Sequence, residues 1–275
     1  MQIIKNTLNI GVEKPFTFLH ISDVHLCEAD ATETEERRAF ARGRKSMFSY
    51  APRFIKEVEE YVAETGYPLF NTGDMLDFIT PENIRIAREF AEKTDMMMAA
   101  GNHEYWHCPQ NRFSFDDVPE TYEGKNESLA LVEERLGRDI RFVRREIGGV
   151  NLVCLDDGDY DIDEDIFQKL LEVEAEGKPI LLFMHIPLYS EHIVDYERKY
   201  ALCAPETYFE NCHPIDVFER KPEAPTVGMV EYIRQSPLVK CVLSGHTHYN
   251  DEILGMGEMD QIITGCDTLR EITVI

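Results

Sequence analysis

No apolar run in this 275-residue chain approaches the roughly 20 residues that span a bilayer. The stretch Met1 to Ile10 carries a lysine and no long apolar segment, so it does not read as a secretory leader. Paired cysteines are missing as well. Cys27, Cys108, Cys154, Cys203, Cys212, Cys241 and Cys266 are odd in number and show no CxxC spacing, which argues against a disulfide framework and suits a reducing compartment. These absences lead us to expect a soluble, cytoplasmic protein with no membrane partner. Basic side chains are also scarce, 28 against 52 acidic ones, for a formal net charge of -24. Nucleic-acid polymers are bound largely through Lys and Arg, so the balance gives no strong sign of such a partner. It weighs less against a small anion, which feels a pocket rather than the average charge. Nothing in the sequence specifies an oligomeric state.

What is present suffices for a core. Apolar types make up 43% and aromatic types 10% of the chain, and the length suits a single domain over residues 1–275. The run Phe16 to Ile21 predicts a buried strand that ends in Ser22-Asp23-Val24-His25. Residues 33–66 are helical by spacing, with interruptions at Gly43 and Pro52. Pro68-Leu69-Phe70 leads as a second strand into Asn71-Thr72-Gly73-Asp74. Pro81 to Lys93 predicts a helix with proline in its first turn, and Met96 to Ala100 a strand that ends in Gly101-Asn102-His103-Glu104. Further on, Ser128 to Leu136 and Ile166 to Glu176 read as helices. Ile140 to Val143, Asn151 to Leu155 and Ile180 to Met184 read as strands, the last ending at His185. The acidic run Asp156 to Asp165 reads as a solvated turn leading into the next helix, with a weak cation site as the alternative. Periodicity fades over 187–225, where tyrosines, histidines and prolines gather, and a structureless stretch of that length suggests an insertion over a site. The helix Val227 to Arg234 follows, then the strand Lys240 to Leu243 ends in Ser244-Gly245-His246-Thr247-His248, and Gly255 to Ile275 closes as sheet.

Five apolar segments thus end in metal-capable residues: Asp23 and His25, Asp74, Asn102, His185, and His246 and His248. The carboxyl ends of buried strands are where α/β proteins collect ligands. Taken singly, each has a bland alternative. Asp23 with His25 is a common polar turn, Asn102 a ready helix cap, and His185 a hydrogen-bonded histidine at the edge of the core. His246 and His248 are alternate positions, which share a side if the segment is extended. The repetition at successive strand ends points to one centre for divalent ions, since imidazole and carboxylate suit Zn, Fe and Mn. A carboxylate such as Asp74 can bridge two ions, and two ions can activate a water and clamp both oxygens of an in-line displacement.

Ser22-Asp23-Val24-His25, Gly73-Asp74-Met75-Leu76-Asp77, Gly101-Asn102-His103-Glu104, His185 and Gly245-His246-Thr247-His248 resemble, in order, the five motifs of the calcineurin-like metallophosphoesterases. The resemblance covers Asp23 to His248. It implies an α/β fold, a four-layer α/β/β/α sandwich with two mixed β-sheets, and a binuclear enzyme in which a metal-bridging hydroxide attacks phosphorus. It implies that Asp23, His25 and His248 hold one ion, that Asn102, His185 and His246 hold the other, and that Asp74 bridges them. The two divalent ions would be Mn, Fe or Zn. His103 resembles the family histidine that contacts the phosphoryl group and assists the leaving oxygen, with Asp77 as its orienting carboxylate.

For substrate, a phosphodiester of a nucleotide or related small molecule comes first, and a phosphomonoester is the alternative. Phe78 and Ile79 depart from the Arg-Gly that follows the second aspartate in serine/threonine protein phosphatases, which counts against that activity. A nuclease is disfavoured by charge, and a non-catalytic metal-binding scaffold by the presence of His103. Tyr105, Trp106 and His107, and Tyr189, His192, Tyr196 and His213 in the insertion, are candidates to pack against a substrate ring or simply against neighbouring loops. Arg37, Arg38, Arg42, Arg44 and Lys45 form the one basic cluster, and the glutamates beside them favour ion pairs along a helix over a phosphate-attracting wall.

Overall fold

The computed structural model describes residues 1–105, 122–158, 161–188, 190, 192–193, 224–256 and 259–275. Strand β2 (Phe16–Ile21) explains its architecture. Phe18 joins an apolar cluster between two sheets, whereas Leu19 and Ile21 join a second cluster beneath helices. Successive side chains of a strand face opposite ways, so an unbroken apolar run is stable only where both faces are covered. Strands β6 (Val150–Leu155) and β7 (Ile180–Phe183) repeat the pattern. Leu152, Cys154, Leu181 and Phe183 face the first sheet, and Val153, Leu155, Ile180 and Leu182 face helices.

The first sheet runs in the order β1 (Gln2–Leu8), β11 (Thr268–Val274), β2, β3 (Leu69–Asn71), β4 (Met97–Met98), and only the β11–β2 pair is antiparallel. The second runs β5 (Phe142–Ile147), β6, β7, β8 (Val239–Ser244), β10 (Met259–Ile263), β9 (Asp251–Met256), antiparallel at its two outer pairs. Helices α2 (Ala51–Thr65), α3 (Pro81–Thr94) and α4 (Tyr122–Leu136) cover the first sheet through Phe54, Val58, Ile84, Phe90 and Leu129. Helices α5 (Glu164–Glu174) and α6 (Ala224–Gln235) cover the second through Ile166, Leu170 and Ile233. The four-layer sandwich with two mixed sheets is therefore present. Between the sheets the rings of Phe70 and Phe183 stack with centroids 4.4 Å apart, and Phe18 meets both edge-on at 5.6 and 5.5 Å.

Three elements differ from the sequence reading. Gly43 lies inside α1 (Glu35–Met47), which the Thr34 hydroxyl caps, and Pro52 sits in the first turn of α2, where its missing N–H costs nothing. The break falls instead at residues 48–50. Strand β1 has no counterpart in the periodicity, because it is an edge strand whose side chains are mostly outside the core and whose partner β11 lies at the far end of the chain. Among the described residues no helix is long and apolar enough to cross a membrane. Of the expected insertion at 187–225, all but residues 187, 188, 190, 192, 193, 224 and 225 lies outside the described residues.

Candidate metal centre

The loops leaving β2, β3 and β4 of one sheet meet those leaving β7 and β8 of the other, and all seven residues expected as ligands come together there. Asp74 is in the middle: its Oδ2 lies 3.6 Å from His25 Nε2 and 3.3 Å from His185 Nε2. On one side, Asp23 Oδ1 is 3.8 Å from His25 Nε2 and 3.4 Å from His248 Nε2, and the two Nε2 atoms are 3.1 Å apart. On the other, Asn102 Oδ1 is 3.0 Å from His185 Nε2 and 3.2 Å from His246 Nδ1, with those two nitrogens 3.2 Å apart. Two groups of nitrogen and oxygen donors thus share one carboxylate. His248 and His103, with 42% and 15% of their side chains exposed, mark the open side.

The backbone is bent to achieve this. Asp23, His25, Asp74, His246 and His248 all have φ between 52° and 66°, a left-handed region that non-glycine residues seldom occupy and that collects at functional sites. The expectation that His246 and His248 share a side of an extended segment is therefore corrected. A tight turn, in which Thr247 N donates to Gly245 O at 2.7 Å, brings both rings in. The two first loops are laced together by His25 N to Asp74 O (2.9 Å) and Leu26 N to Met75 O (3.0 Å). Gly73 has φ 100°, and a Cβ there would lie 2.6 Å from Gly101 N and 2.9 Å from His185 Nδ1, so only glycine lets these loops approach.

Hydrogen bonds fix the rings. His185 Nδ1 donates to Thr72 O (2.8 Å) and His103 Nδ1 to Asp77 O (2.6 Å), which turns each Nε2 toward the centre. The resemblance implies that the Asp77 carboxylate orients His103: the Asp77 carbonyl accepts the hydrogen bond from Nδ1, while Oδ1 stands 3.7 Å from the same nitrogen and pairs with His25 Nδ1 at 2.9 Å. Three supporting residues escaped sequence reasoning. Arg44 grips the Asp77 carboxylate. Buried Glu104 accepts from the amides of Asp74, Leu76 and Gly101 at 2.7 to 3.0 Å, and its place directly after His103 was the available signal. Asp157 accepts from the amides of His185 and Ile186 at 2.7 and 3.0 Å. The acidic run is thus not all solvated turn, since Asp156 and Asp157 are buried. Burial pushes the carboxyls of Glu104 and Asp157 up to about 7.

Burial works against the charged forms of His25 and His185, yet the carboxylates of Asp23 and Asp77 push His25 up to about 9, and Asp74 pushes His185 up to about 10. Against the same burial, His25 and His248 hold Asp23 down to about 2 and His185 holds Asp74 well below the usual carboxylate range. Carboxylates taken this far from water need cationic company. The donor set, imidazole nitrogens with carboxylate and amide oxygens, fits divalent Mn, Fe or Zn in that role.

Around the centre, Tyr105 is packed: it is buried and its hydroxyl donates to Gly158 O at 2.6 Å. His192 pairs with Asp251 at 2.9 Å. Trp106, His107, Tyr189, Tyr196 and His213 lie outside the described residues. The basic cluster is made of ion pairs, as expected for a helix surface: Arg37 with Glu33, Arg38 and Arg42 with Glu35, and Lys45 with Glu28. Arg44 is the exception, being buried against Asp77.

A sequence model of the calcineurin-like phosphoesterases matches residues 16–250. Among solved structures, a purple acid phosphatase from yellow lupin (Lupinus luteus) seeds superposes with a TM-score of 0.50 at 11% identity, covering 92% of this chain and 44% of that one. A dimetal phosphatase from Danio rerio gives a TM-score of 0.48 at 14% identity, covering 91% and 87%. A phosphopantetheinyl hydrolase from Mycobacterium tuberculosis gives 0.43 at 12% identity, covering 95% and 90%. No curated protein matches the chain.

Proposed function

The chain belongs to the calcineurin-like phosphoesterases, and from that premise we propose that it hydrolyses a phosphodiester of a nucleotide or related small molecule at a binuclear metal centre. Asp23, His25 and His248 would hold one ion and Asn102, His185 and His246 the other, with Asp74 shared between the two groups. The observation that carries this reading is the meeting of two donor groups at the single carboxylate of Asp74, with Oδ2 within 3.6 Å of an imidazole from each. Two divalent ions bound there supply an activated water and offset charge on the phosphoryl oxygens.

The chain's own residues do the rest. His103 is tied by Nδ1 to the Asp77 carbonyl, which turns Nε2 toward the centre, where it would contact the phosphoryl group and pass a proton to the leaving oxygen. Burial lowers its affinity for protons, with Asp74 opposing. Glu104 and Asp157 bind main-chain amides of the ligand loops and hold the donors in place before substrate arrives.

A diester is favoured over a monoester by charge. The basic side chains of α1 are engaged by Glu33, Glu35, Asp77 and Glu28, which suits the single charge of a diester better than the two of a monoester. The test is a screen of the protein in Mn(II) against chromogenic mono- and diesters, cyclic nucleotides, dinucleotides and nucleotide sugars. Faster turnover of diesters is expected. Turnover of monoesters alone would replace the diester with the phosphatase alternative, and no turnover with two ions bound would end the enzymatic reading.

A further inference from the structure

The two halves of the centre are supported in different ways. His185 leans on main chain and a neighbouring loop: Nδ1 donates to Thr72 O, and the amides of His185 and Ile186 bind Asp157. His25 leans on side chains from the end of α1. Arg44, in the last turn of that helix and 7% exposed, donates from Nε to Asp77 Oδ2 at 2.6 Å and from Nη2 to Asp77 Oδ1 at 2.5 Å. Asp77 Oδ1 in turn takes His25 Nδ1 at 2.9 Å. One turn further on, Phe48 lies flat against the His25 ring, with centroids 4.1 Å apart and planes 13° from parallel, and the Arg44 guanidinium sits 5.0 Å from the Phe48 centroid. Beyond the helix, Tyr50 donates from its hydroxyl to Asp23 O at 2.6 Å.

From this asymmetry we propose that Arg44 is a positioning residue for one ion only, the one held by Asp23, His25 and His248. The proposal rests on the metal-centre reading above. A two-point guanidinium–carboxylate pair fixes the plane of the Asp77 carboxylate as a single-point donor cannot. The fixed carboxylate holds the His25 proton on Nδ1 and sets the ring's tilt, so that Nε2 presents its lone pair between Asp23 and Asp74. Without Arg44, Asp77 is free to rotate and the ring loses its anchor, while Thr72 and Asp157 keep His185 in place. Partners of this kind behind a metal-bound imidazole change metal affinity by about 10- to 100-fold.

The test is Mn(II) binding by the full chain, followed by calorimetry and by electron paramagnetic resonance, which distinguishes a coupled ion pair from a lone ion. The unaltered protein is expected to bind two ions. Arg44→Gln is expected to bind one as before and the other at least about tenfold more weakly, with the coupled signal giving way to a mononuclear one at equal metal. Arg44→Lys, which keeps the charge but not the two-point grip, is expected to fall between and guards against a failure of Arg44→Gln to fold. Adding Asp77→Asn to Arg44→Gln should cost little more, because both act through one ring. Equal binding of both ions by folded Arg44 variants, or equal weakening of both, would overturn the proposal. Failure of the unaltered protein to bind a second ion would instead overturn the binuclear reading itself.

Discussion

His103 borders the candidate metal centre, outside the two donor groups that share Asp74. Its Nδ1 is engaged by a carbonyl, and its Nε2 stands 4.0 Å from Asp74 Oδ2. His103→Asn should therefore keep both ions, by metal analysis, and slow hydrolysis by about 100-fold or more, the scale of a positioned proton donor. Loss of metal in that variant would mean that the residue is a ligand. His20, itself no member of either donor group, offers a separate test. Burial, reinforced by Arg270, lowers it to about 3 from an ordinary 6.5, and its nitrogens meet the hydroxyls of Thr72 and Thr264 at 2.9 and 2.8 Å. The unfolded chain protonates this ring near 6.5 and the folded chain only near 3. Between these values the unfolded state binds more protons, so the neutral ring's contribution is complete above the higher value and is lost as pH falls toward the lower one. At about 1.4 kcal/mol per unit, the loss reaches about 2 kcal/mol by roughly pH 5. Urea titrations in chelator across this range should show His20→Gln with a flatter slope, by one proton, than the unaltered chain. Equal slopes would refute the assignment.

At the scale of elements, the tight loops carry the strain. Gly73 and Gly66 both have positive φ, yet a side chain at Gly73 would strike Gly101 and His185, whereas Gly66 at the end of α2 has open space. Gly73→Ala should then cost about 2 kcal/mol or more by chemical denaturation, and Gly66→Ala about 1. Similar losses would show that the two loops do not approach this closely. The same loops explain how far the sequence could be read. Buried strands such as β2 and β7 announce themselves as unbroken apolar runs, and their polar ends name Asp23, His25 and His185 directly. Edge strand β1 leaves little trace, because its stability comes from pairing with β11 rather than from its own burial. The turn of α1 into α2 was misplaced because Gly43 and Pro52 look like breakers, whereas the actual break is set by Phe48 and Tyr50 packing on the centre. Arg44 was hidden for a similar reason. Its neighbours Arg38, Arg42 and Lys45 pair on the surface, and helical spacing alone does not say which arginine turns inward. Asp157 likewise had no mark to separate it from the aspartates around it.

For the whole molecule, each half of the centre draws on both sheets. Asp23, His25 and Asn102 come from the ends of β2 and β4 in one sheet, and His248, His185 and His246 from β7 and β8 in the other. Ions bound there would favour the folded state by mass action, each by about 2.7 kcal/mol when present at about 100 times its dissociation constant. Chelation should accordingly lower the midpoint of thermal unfolding, and the midpoint should climb with added Mn(II). A midpoint indifferent to chelator would count against metal in the folded protein. The stack of Phe70 on Phe183 lies one layer beneath, within two residues of Thr72 and His185. It works as a shim: the thickness of two stacked rings spaces the two sheets whose loops bring Asp23, His25 and Asn102 from one side to His185, His246 and His248 from the other.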